Sequence, residues 1–70
     1  MTNYGMFTDE GNKKVAKIVR MARNLHETQG YPVEGAWNWA ENELAMLAIY
    51  DETIEAEDTE VREAVRQAIL

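Results

Sequence analysis

The tetrapeptide Gln29-Gly30-Tyr31-Pro32 is the feature that most limits how this chain can fold. Glycine just past a helix end enters the left-handed region cheaply. An aromatic after it can fold over the last turn, and proline prevents continuation. On both sides of this stop, apolar residues recur at helical spacing. Upstream, Val15, Ile18, Val19, Ala22, Leu25 and His26 form one stripe, with Lys13, Lys17, Arg20 and Asn24 on the opposite side. Downstream, one stripe is Val33, Ala36, Trp37, Ala40, Leu44, Leu47 and Ala48, and a second is Trp39, Glu43, Met46 and Tyr50, with Ile49 near its edge. The run LAMLAIY is apolar nearly all round, the pattern of a central bundle helix.

The flanks complete the layout. Thr8 offers an N-cap, with Asp9 and Glu10 in the first turn, where the helix dipole favours acids. Gly11 weakens that start by about 1 kcal/mol relative to alanine, so Asn12 is a rival cap. Ahead of it, Tyr4, Met6 and Phe7 are anchors for a short segment packed back onto the helices. Residues 51–58 read as an acidic connector pinned by Ile54. Asp58 or Thr59 then caps a last helix whose apolar face is Val61, Ala64, Val65, Ala68 and Ile69. The expectation is one all-α domain: a three-helix bundle with helices at about 9–29, 33–51 and 59–69 and a short N-terminal extension packed on it.

A chain of 70 residues with no cysteine has no disulfide and no thiolate metal site. A domain this size buries only roughly 60% of its unfolded surface, so close helix packing or association has to supply stability. No apolar run reaches a membrane span and the N-terminus lacks the basic flank of a signal peptide, so a cytoplasmic location is expected. The net charge is −6, unevenly spread. Residues 1–30 carry five basic residues against three acids, whereas residues 31–70 carry ten acids against Arg62 and Arg66. An acidic second half disfavours nucleic acid, whose phosphates it would repel.

Chemistry-bearing groups are sparse. His26 is the sole imidazole and has no nucleophile motif beside it. The acids Asp51, Glu52, Glu55, Glu57, Asp58 and Glu60 miss the calcium-loop pattern, since the sixth position from Asp51 is Ala56 and the twelfth is Arg62. No catalytic, cofactor or metal residue is assigned, and no enzyme activity is expected. The tryptophans are more informative. Two residues on a helix span roughly 200°, so Trp37 and Trp39 cannot share one core. Trp37 is assigned to the core. The stripe of Trp39, Met46 and Tyr50 is either covered by the N-terminal segment or exposed as a contact surface of interface-enriched residue types.

The opening YGMFTDEGN (4–12), the amphipathic helix after it, the Gly30-Tyr31-Pro32 turn and the spaced pair Ala36 and Ala40 resemble small early or accessory proteins of tailed bacteriophages in length and layout. The resemblance implies a helical mini-protein that acts on a host protein in the host cytoplasm, and it transfers no residue role. From the residues, the leading expectation is a non-enzymatic acidic protein that binds, and inhibits or modulates, a host or cognate protein. Its contact residues would be Trp39, Glu43, Met46 and Tyr50, with an acidic rim. The alternatives are a homo-oligomeric module using the same surface, a homodimer for instance, and an acidic DNA mimic.

Overall fold

The structure, a computed structural model, describes residues 3–70. Three helices, α1 (Asp9–Thr28), α2 (Val33–Tyr50) and α3 (Thr59–Ile69), run up, down and up, each packing against the other two. The all-α three-helix architecture expected from the stripes is the one observed, and the helix ends fall within one residue of the expected positions.

Local chemistry sets those ends. Thr8 caps α1, its Oγ1 accepting from the Gly11 N–H at 3.0 Å. At the other end the N–H groups of Gln29 and Tyr31 both donate to the Leu25 carbonyl, at 3.2 and 3.1 Å. That chain reversal requires the positive φ of Gly30, +76°. The His26 ring donates from Nδ1 to the Tyr31 carbonyl at 2.7 Å, closing the turn from the helix side. Pro32 then sits at the N-cap of α2 with an extended backbone and no side-chain cap bond. Asp58 caps α3 through the Glu60 N–H at 2.7 Å.

The core is drawn unequally from the helices. α1 contributes six buried positions, whereas α2 buries Ala36, Ala40 and Leu44 and α3 buries Val61, Val65 and Ile69. Compared with α1, α2 buries fewer large side chains, although it packs against both other helices as expected of a central helix. Its buried stripe is mostly alanine, which lets neighbouring helices come close, and its C-terminal half turns Met46, Ile49 and Tyr50 outward. α1 also receives the N-terminal segment at Asn12 and the connector at Gly11.

Two expectations change. The N-terminal segment docks, but through Tyr4 and Met6 alone, since Phe7 is 70% exposed. It docks beside Val61 of α3 and the connector, not over Trp39. Asn12 is no rival cap. Buried at the start of α1, it accepts from the backbone N–H groups of Tyr4 (2.9 Å) and Met6 (3.4 Å), holding the segment in place. Gly11 sits where the connector crosses α1: a Cβ there would lie 2.7 Å from the Thr53 carbonyl oxygen and 3.0 Å from the Met6 Cβ. Its helix penalty is offset by this close approach. Ile54 is buried and anchors the connector as expected.

Candidate functional site

The two tryptophans diverge as helical geometry requires. Trp37 faces α3, half-buried, with the Arg66 guanidinium 5.5 Å from its ring centroid. Arg66 is fixed there by a 2.8 Å bond from its Nε to the Glu41 carboxylate. Trp37 thus belongs to the α2–α3 seam rather than to the fully buried core, and its Nε1 is buried with no hydrogen-bond partner. Trp39 faces α1 instead.

On that side α1 and α2 leave an open groove. Its floor is Ile18 and Leu47, and its walls are Met21, Met46 and Tyr50 with the stems of Lys14 and Lys17; Glu43 stands on the α2 edge. Toward the Gly30 turn it continues into a smaller depression lined by Lys17, Met21, Arg20, Asn24, Leu25 and half-buried Trp39. Lys17 and Met21 belong to both halves, so the two form one continuous face. The apolar positions 18, 21 and 25 on α1 lie along one edge, and 39, 43, 46 and 50 on α2 lie along the other. Both are i, i+3/i+4 series and therefore run parallel to the helix axes.

All four residues singled out from the sequence fall on this face. Glu43, Met46 and Tyr50 line its wider half, and Trp39 lines the narrower one. The exposures are graded: Trp39 is partly covered by α1, Met46 is 56% exposed and Tyr50 82%. Of the two alternatives for this stripe, coverage by the N-terminal segment is excluded, because Tyr4 and Met6 occupy the other side of α1.

Sequence reasoning missed Met21, which is 48% exposed and central to the groove. Its signal was present, since it lies three residues after Ile18 and four before Leu25. Ile49, 70% exposed beside Met46 and Tyr50, extends the apolar surface around α2. The rim also differs from the acidic one expected. On the α1 edge it is basic, with Lys14, Lys17 and Arg20, and Glu43 is the acid that lines it.

Electrostatically the groove is closed at one end. Lys14 Nζ donates to the Asp51 carboxylate, tying the C-terminal end of α2 to α1. With the Thr53 hydroxyl and N–H also donating to it, Asp51 is held charged, its pKa lowered from 3.8 to about 2. Lys17, Arg20 and Glu43 form no ion pair among the described residues.

The acidic connector is partly consumed in structure. Asp51 pairs with Lys14, Glu55 accepts from the N–H groups of Glu57 and Asp58, and Asp58 caps α3. Among the described residues no group of three or more acids, histidines or cysteines could hold a metal ion, and no helix is long and apolar enough to cross a membrane. No family model, curated protein or solved structure matches the chain.

Proposed function

We propose that this chain is a non-enzymatic binding protein whose contact surface is the α1–α2 groove. The observation that carries the reading is one of position: Met46 and Tyr50, two large side chains on the last turns of α2, line the groove with Met21 of α1, and all three point to water. Sequestering them inside would have been favourable by about 1.5–3 kcal/mol for each large apolar side chain fully buried. Exposed apolar residues clustered on one side of a small domain mark an interaction site. Tyrosine, tryptophan and methionine are the types that dominate such contacts.

The mechanism is occlusion. Tyr50 and Met46 enter a complementary surface on the other protein, and the charged edges exclude water and fix register. If the layout shared with phage accessory proteins reflects descent, the other protein belongs to the host, and its activity is inhibited or modulated in the host cytoplasm. The DNA-mimic reading draws less support, because three of the five connector acids are committed to Lys14 or to backbone N–H groups.

The test is capture of host proteins by immobilised chain, compared between wild type and Tyr50→Glu. Tyr50 makes so little intramolecular contact that helicity should persist. A partner retained equally by both would rule this face out as its binding site.

A further inference from the structure

We propose that Met21 and Met46 form a paired oxidation site, at which a peroxide-class oxidant turns the α1–α2 groove from apolar to polar while the fold stays intact. The proposal rests on the reading of this face as a contact surface and supplies a means of regulating it.

Thioether chemistry and burial carry it. The chain has no cysteine, so no thiol of its own competes for the oxidant, and methionine sulfur is the most readily oxidised group it offers. The methionines among the described residues are sharply divided. Met6 is 8% exposed, and its sulfur accepts the Glu55 N–H at 3.2 Å. Met21 and Met46 are 48% and 56% exposed, and neither belongs to the buried core. They come from different helices, yet both line the wider half of the groove, Met21 on the α1 wall and Met46 on the α2 wall.

The step is a two-electron oxygen transfer. A sulfur lone pair attacks one peroxide oxygen; the S–O bond forms as the O–O bond breaks, and the other oxygen leaves as water once protonated. The thioether is oxidised to the sulfoxide and the peroxide is reduced. Side-chain length barely changes, but a soft apolar group becomes a strong dipole on each wall, with Ile18 and Leu47 left as the apolar floor. A partner that buried these walls would then have to desolvate two sulfoxide oxygens. The return step comes from outside the chain, which has no thiol: a dithiol reductase removes the oxygen as water and is itself oxidised to the disulfide.

Placement separates the surface from the fold. A sulfoxide on Met21 or Met46 projects from a side chain already in water, whereas the sulfur whose oxidation would disturb packing, that of Met6, is enclosed and hydrogen-bonded.

Hydrogen peroxide treatment followed by residue-resolved peptide mass mapping tests the proposal. Met21 and Met46 should gain oxygen at least about tenfold faster than Met6. At the stage where both carry oxygen and Met6 does not, the melting temperature by circular dichroism should stay within about 3 °C of the untreated protein. The same material should elute earlier from a phenyl-bearing hydrophobic-interaction column, whose matrix is the apolar probe. Met21→Leu/Met46→Leu, a volume-conserving pair of changes, should show no such shift after treatment. Comparable oxidation rates at Met6, Met21 and Met46 overturn the proposal. So does a melting temperature lowered by about 10 °C or more in the doubly oxidised protein, which would place these side chains in the core. Elution that oxidation leaves unchanged overturns it as well. Each of these failures is distinct from that of the contact-surface reading, which the Tyr50→Glu capture decides without altering either methionine.

Discussion

The two sides of α1 both meet apolar side chains from elsewhere in the chain and end up in opposite states. On one side, the N-terminal segment and the 51–58 connector close over Gly11, Asn12 and Val15, and Tyr4, Met6 and Ile54 are buried there. On the other, Met21, Met46 and Tyr50 stay in water. The difference lies in polar anchoring. The closed side has places for backbone groups to go: Asn12 takes the N–H groups of Tyr4 and Met6, and the Glu55 N–H meets the Met6 sulfur at 3.2 Å. An irregular segment can be buried only where its backbone is so paired. Ile18, Met21 and Leu25, with α2 opposite, offer no buried polar group to receive such a segment, so a partner there has to be self-satisfied, as a helix is.

The comparison can be broken most forcefully at Asn12. Asn12→Ala leaves the two N–H groups it serves without their acceptor and should cost about 2–3 kcal/mol in chemical denaturation. A loss below half a kilocalorie would mean that the segment is held by its apolar side chains alone. Gly11→Ala comes next. Helix propensity by itself predicts a gain of about 1 kcal/mol, but the crossing connector converts it into a net loss of about 1–2 kcal/mol. The sign of the change is the readout.

Trp39→Ala lies between the two regimes. Its ring rests against α1 without being enclosed, so about 1–2 kcal/mol should be lost, well under the 3–5 kcal/mol typical of a fully buried tryptophan. A larger loss would make this side core rather than surface. On the open side, Tyr50→Ala should alter the stability of the monomer by no more than about 0.5 kcal/mol.

The smallest effect belongs to the ion pair that joins the two ends of the hairpin. The folded pKa of Asp51 lies below its ordinary value of 3.8, at about 2, through the Lys14 bond first and Thr53 second. The stability it contributes is therefore fully present above the ordinary value and is lost as pH falls through that window. Lys14→Met should move the Asp51 titration, followed by NMR, back toward 3.8 and shift acid unfolding slightly upward in pH. An unmoved titration would show that Thr53 alone holds the carboxylate.

Much of this was legible in the residue order. The stripe of α1, the Gly30 stop, the Thr8 and Asp58 caps and the anchor at Ile54 all follow from chemistry within a few residues of each position, and the structure has them where that chemistry puts them. The divergence of Trp37 and Trp39 follows from helical rotation alone. Met21 went unremarked because a residue on the shoulder of a stripe is neither core nor surface until the neighbouring helix is placed. The rim was misjudged for the same reason. Counting acids along residues 31–70 says nothing of the lysines that α1 sets beside them.

The sequence by itself determined that there are three helices, where each begins and ends, and that α2 presents two apolar faces it cannot bury against one neighbour. Those are consequences of periodicity and capping, which act over one or two turns. Which of those faces is closed was decided only in three dimensions. Gly11 reads as a flaw in α1 until Thr53 is found against it, and Trp39 and Tyr50 read as equivalent until α1 is found covering one and not the other. Coverage depends on chain segments distant in sequence competing for the same surface, and local spacing carries no record of that competition.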